Sequence, residues 1–199
     1  MKIKIRRPRS CLGWFLWMLG ALVIFVLLHN VYAQMRISLA RMQAEGLARE
    51  LGYTPASFLR ERRDRSNMDM ITASYLCSSE LFFITPLELP AFEERLLQAV
   101  PRALRIDPFP HTRTEIYSDL PLTVIGADGA KITSREALPP ITVFWWSLRA
   151  KFPTEGGTVY LGQTKSAAST FRYGERMIDG NIAVIQWPAG RFPFWVLWC

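Results

Sequence analysis

The chain has 199 residues, half of them hydrophobic, with 24 basic and 17 acidic side chains and a formal net charge of +7. Five basic residues, Lys2, Lys4, Arg6, Arg7 and Arg9, precede Leu12, and the first acid is Glu45. The remainder is nearly balanced, which argues against nucleic acid as a partner, and the length suits a membrane helix plus one domain.

Leu12 to Ala33, LGWFLWMLGALVIFVLLHNVYA, is a run of 22 residues without a formal charge. At about 1.5 Å per residue it reaches roughly 33 Å, enough to cross a bilayer core of about 30 Å with every backbone polar group satisfied internally. Three basic residues (Arg36, Arg41, Arg49) lie in the twenty positions after Ala33, fewer than the five before Leu12. That bias predicts a cytoplasmic N-terminus, a basic tail over residues 1–11, and a C-terminal domain on the periplasmic or extracytoplasmic side of the cell membrane. Trp14, Trp17 and Tyr32 fall where amphipathic rings prefer the interface, and His29 and Asn30 read as interfacial residues at the outer end. A cleaved signal is the competing fate, since Val31-Tyr32-Ala33 could precede a cut before Gln34. Cys11 lies before the span, leaving Cys77 and Cys199 to pair in an oxidising compartment or to stand as two thiols. A bridge would close a loop of more than 100 residues, worth about 4–5 kcal/mol in the chain-entropy model.

Residues 34–66 read as an amphipathic helical neck. Ile37, Ala40, Ala44, Leu47, Ala48 and Leu51 form one apolar stripe, with Arg41, Glu45, Arg49 and Glu50 mostly off it. Gly52 suits a helix C′ position, and Thr54-Pro55 suits the start of a second helix to about Arg65, with RERRDR as a solvated face. The exported domain then occupies 67–199. Met70, Ile71, Tyr75 and Leu76 suit a short helix and Leu81–Thr85 a buried strand. A helix from Pro90 to Val100 places Phe92, Leu96, Leu97 and Val100 inward and ends at Pro101. Strands are predicted near Thr114–Tyr117, Leu122–Ile125, Ile141–Leu148, Thr158–Leu161, Ile182–Trp187 and Phe194–Trp198, with turns at 127–129, 155–157 and 179–181. The expected fold class is α+β: a single transmembrane helix, a helical neck and a mostly antiparallel sheet packed with one or two helices.

Chemistry-bearing patterns are sparse. His29 lies in the span, and His111 has no HxxxH or CxxC partner; there is no GxSxG, SxxK, P-loop or GxGxxG. Glu115, Asp119, Glu155, Glu175 and Asp179 could supply a hydrolytic carboxylate pair if the fold set two of them about 5–9 Å apart. Each reads first as a turn or solvent residue, so no catalytic residue, metal or cofactor is expected. The dense feature is aromatic: Trp145, Trp146, Trp187, Trp195 and Trp198, joined by Phe144, Phe152, Phe171, Phe192 and Phe194. In 141–148 and 194–199 both strand faces are apolar. Such strands are either covered on both faces by helices or form an aromatic surface that docks a protein or the bilayer, with sugar stacking as a third use. The FWVLWC segment reads as a last strand completing a sheet.

The layout of residues 1–13 (MKIKIRRPRSCLG) followed by the apolar run from Trp14 resembles that of type IV pilins and pseudopilins. That family places a short basic leader and a glycine before an apolar helix that becomes amphipathic, then a C-terminal sheet often tied by a disulfide. It usually carries Glu at the fifth mature position, where this chain has Met18. The resemblance implies a pilus or secretion subunit. The residues themselves favour a non-enzymatic accessory or scaffolding subunit of a membrane or envelope complex. Partners would dock through the neck stripe (Ile37, Ala44, Leu47, Leu51) and the aromatic strands (Trp145, Trp195, Trp198). An envelope polysaccharide-binding or carboxylate-based hydrolytic domain is the remaining alternative.

Overall fold

A computed structural model describes residues 11–54, 58–65, 72–106, 117, 122–132, 138–147, 156–163, 170–178 and 180–197. Helix α1 runs unbroken over Cys11–Glu50, about 60 Å at the usual rise. Its apolar N-terminal part is long enough to cross a membrane, and its most apolar window buries nothing within the chain. From Asn30 onward one side of the same helix sinks onto a sheet.

The strands are β1 (Phe58–Arg65), β2 (Ser74–Thr85), β3 (Leu104–Ile106), β4 (Leu122–Ile125), β5 (Ile141–Ser147), β6 (Gly156–Gly162), β7 (Thr170–Tyr173), β8 (Arg176–Ile178) and β9 (Asn181–Pro193), with α2 (Leu89–Ala99) between β2 and β3. They form a six-stranded sheet, β1-β2-β9-β6-β5-β3, and a three-stranded sheet, β4-β7-β8. Every pairing is antiparallel. The long strands β2 and β9 pair from Ser74↔Pro193 to Thr85↔Asn181, with a bulge at the Cys77/Ser78 step. The fold class is α+β, mostly sheet, as the periodicity indicates.

Loss of alternation in these strands has a direct cause, because both faces of the large sheet are covered. Leu81, Phe83, Phe144, Trp146, Val159, Leu161, Ala183 and Ile185 pack with Ala44, Leu47, Ala48 and Leu51 of α1 and Phe92 and Leu96 of α2. Their neighbours Phe82, Ile141, Val143, Ile182 and Val184 point the other way, onto Val124, Phe171 and Ile178 of the small sheet. The expectation of helices on both faces is therefore half right: helices cover one face, and a second sheet covers the other. A strand covered on both sides needs no polar face.

The C-terminus of α1 is built as the sequence suggests. Gly52 adopts φ +90°, Tyr53 N–H donates to Ala48 O and Gly52 N–H to Arg49 O, a Schellman closure. Arg95 of α2 donates to Leu51 O at 3.2 Å, placing a cation at the negative end of the helix dipole. The Tyr53 hydroxyl meets Thr85 Oγ1 inside the core. Burial raises the Tyr53 phenol above its ordinary value, partly offset by Thr85 and Arg95.

Three predicted elements are corrected. RERRDR is an edge strand, not a helix: β1 pairs with β2 from Phe58↔Phe83 to Arg65↔Cys77. The open backbone edge of β2 outweighs the local capping signal, and Arg62 sits directly opposite Glu80. Tyr75 and Leu76 belong to β2 rather than to a helix. Phe194–Leu197 is a turn and a tail, because β9 ends at Pro193 and the chain folds back toward α1. Leu97 lies outward, at 38% exposure, while Phe92 and Leu96 are buried as expected. Of the strand expected at Thr114–Tyr117, residues 114–116 lie outside the described residues, and Tyr117 is a buried helical residue rather than a strand residue.

Two glycines explain how bulky indoles enter a paired strand. A Cβ on Gly157 would overlap the Trp146 indole, and one on Gly156 would overlap that of Trp145. These glycines are therefore strand residues that make room for tryptophan, not turn residues. Gly157→Ala should destabilise the solubilised protein by about 1–3 kcal/mol through overpacking. Gly46→Ala, whose Cβ meets nothing within 4 Å on α1, should be neutral or add up to about 1 kcal/mol. Denaturant unfolding of the two variants checks the pair.

Candidate docking surfaces

The stripe expected to bind a partner is used within the chain. Ile37, Ala44, Leu47 and Leu51 are 1–4% exposed. Ala44, Leu47 and Leu51 lie in the core shared with β2, β5, β6 and β9. Ile37 joins Ala33, Ala40, Cys77, Ala189, Phe192 and Val196 in a second cluster where α1 crosses β2 and β9. The spacing identified a true contact face but not what covers it. These four residues face the chain's own sheet, so partner docking cannot use them.

The opposite side of α1 is also apolar, and it is open. Val31, Met35, Leu39 and Met42 recur at helical spacing and are 52%, 67%, 44% and 65% exposed. They continue the line of Ile24 and Leu28 in the apolar N-terminal part of the helix, both exposed as well. A helix apolar on two faces is ordinarily buried on both. This second stripe recurs in the sequence at i, i+4, i+8 and i+11.

The three tryptophans expected to dock partners are scattered. Trp145 is half-buried at the β3 edge, where its cross-strand neighbour Leu104 and then Ile106 are exposed. Trp195 lies against α1, its ring 6.5 Å from that of His29, and Trp198 lies outside the described residues. Trp146 and Trp187 are core residues in edge-to-face contact at 5.7 Å.

A polar hook joins the C-terminal segment to α1. Asn30 is 3% exposed; its Oδ1 accepts from Leu197 N–H at 2.8 Å, and its Nδ2 donates to Val26 O at 2.9 Å with a longer contact to Trp195 O at 3.5 Å. Close by, Arg36 Nε donates to Ala189 O at 3.0 Å, and the Tyr32 and Phe192 rings meet edge-on. Among the described residues the buried Trp195 Nε1 meets no hydrogen-bond partner.

A second polar group joins the edge strand to the sheet. Arg62 donates to Glu80 Oε2 through Nε at 2.9 Å and Nη2 at 2.8 Å, and Gln186 Nε2 donates to Glu80 Oε1 at 3.1 Å. Gln186 Oε1 in turn accepts from Tyr160. Both oxygens of Glu80 are occupied and its charge is matched, which ties the edge strand to the sheet. Of the carboxylates considered for hydrolysis, Glu175 is exposed in the β7–β8 turn, and Glu115, Asp119, Glu155 and Asp179 lie outside the described residues, as does His111. Among the described residues no three His, Cys, Asp or Glu side chains converge as metal ligands.

No family model, curated protein or solved structure matches this chain. Asn30→Ala should free the Leu197 amide and strip the hook, costing about 1–3 kcal/mol. Limited proteolysis checks it: the variant should be cut at 194–197 under conditions that leave the parent intact.

Proposed function

We propose that the chain is a single-pass, N-in membrane protein whose extracytoplasmic domain serves as a non-enzymatic docking subunit of a larger membrane or envelope complex. One observation carries this reading: α1 leaves the span with an exposed apolar stripe, Val31, Met35, Leu39 and Met42, directly opposite the stripe its own sheet covers. The stripe runs on from Ile24 and Leu28, so it fits a partner whose own membrane helix packs alongside and continues upward with α1. Methionine suits such a seam, because its flexible thioether adapts to the facing surface. The basic tail before Leu12 supports the orientation. We also propose that Cys77 pairs with Cys199. Its support is that Cys77 does not carry a free thiol and is fully buried beside Val196, three positions before Cys199.

The pilin-like alternative gains from one feature, the packing of the upper half of α1 on an antiparallel sheet. Intact mass separates it, since a pilin-like subunit would mature by cleavage before Trp14.

A photoreactive side chain at Met35 or Met42 should crosslink a specific membrane protein in native membranes. Met35→Lys with Met42→Lys should reduce co-purification at least about tenfold, equivalent to about 1.4 kcal/mol of binding, while leaving unfolding within about 0.5 kcal/mol of the parent, as surface changes usually do. A chain that purifies as a lone monomer, with no crosslink from either position, contradicts the proposal.

A further inference from the structure

We infer that the turn Phe194–Leu197 seats in the headgroup–acyl boundary of the bilayer, with membrane lipid as the partner of Phe194 and Leu197. The inference rests on the membrane-spanning reading of α1. Depth is the first argument. Counted from Leu12, a core of about 30 Å consumes about 20 residues of helix and ends near Val31. Asn30 binds the Leu197 amide at 2.8 Å, so the tail is held at that same level. Rings of Trp195 and Phe192 lie beside His29 and Tyr32 of α1, which fixes the turn against the helix where the span ends.

Orientation is the second argument. Val196 is 1% exposed and packs inward with Cys77 and Ala189, while Phe194 and Leu197 are 52% and 70% exposed. The turn thus buries one apolar side chain and turns two outward at the height where hydrocarbon gives way to headgroups. Immediately above, the chemistry changes as a leaflet requires. Arg63 donates to Gln34 Oε1 at 2.8 Å and Arg36 to Ala189 O at 3.0 Å. These guanidinium groups sit on or beside α1 about one to two helical turns above Asn30, roughly 6–9 Å, at the level of lipid phosphates. Apolar and aromatic groups below, with arginine above, form the layering of an interfacial anchor. The span and this turn together give the domain two points of attachment, so its tilt relative to the bilayer is restricted.

The test uses the full chain in nanodiscs of phosphatidylcholine and phosphatidylglycerol. A genetically encoded environment-sensitive fluorescent amino acid, which needs no cysteine labelling, replaces Phe194, Leu197, Leu22 in the span, or the exposed Met177 of β8. Nitroxide-bearing lipid should quench the probes at 22, 194 and 197 at least about threefold more than the probe at 177, as interfacial burial requires. Quenching at 22 without extra quenching at 194 and 197 overturns the seat and leaves the span standing. No quenching at 22 overturns both. Probes at 194 and 197 that resist lipid quenching but crosslink to a protein in native membranes assign the patch to that protein, and also overturn the inference.

Discussion

The contact on which this structure depends is the seating of α1 on the β2–β9 ribbon. Ala33, Ala40, Ala44 and Ala48 let the helix backbone approach the sheet closely, and Ile37, Leu47 and Leu51 fill the spaces between them. Each of the larger three buries a side chain worth about 1.5–3 kcal/mol. The helix long and apolar enough to cross a membrane is thereby also a layer of the domain's own core. A hinged neck would let the domain swing; this helix runs without a break from its apolar N-terminal part onto the sheet.

Much of that arrangement was legible in the sequence, for reasons that can be named. The long apolar helix, the α1 stripe, Gly52, the α2 burial of Phe92 and Leu96, and strands β4, β5 and β6 follow from local periodicity and punctuation. The misses share a cause, since each was decided by a distant partner. RERRDR obeys local charge patterning for a helix, yet the free edge of β2 and Glu80 claim it as a strand. FWVLWC reads as a strand, yet Asn30, more than 160 residues earlier, holds Leu197 in a tail. The stripe Ile37, Ala44, Leu47 and Leu51 packs against the chain's own sheet. Periodicity reports that a face is covered and is silent on whether the cover is the same chain.

That distinction moves the functional question to the far side of the helix. With the inner stripe used on the sheet, Met35, Leu39 and Met42 are large apolar groups left open on the outer face of α1. On the proposed reading, the long apolar helix, the sheet domain held tightly to it and the open apolar face of α1 would together form a platform for a neighbouring membrane helix. The interfacial turn would set the height and tilt at which that platform is presented.

Amide hydrogen exchange of the full chain in nanodiscs tests the central claim, that residues 33–51 of α1 belong to the domain core. Because the helix and the β2–β9 ribbon share one buried surface, the account predicts that Ile37, Ala40, Ala44 and Ala48 exchange as slowly as Leu81 and Ile185 and open with them in one cooperative step. Exchange in 33–51 that is much faster than in β2 and β9, with the strands still protected, would show a neck only loosely attached to the domain and would contradict the account.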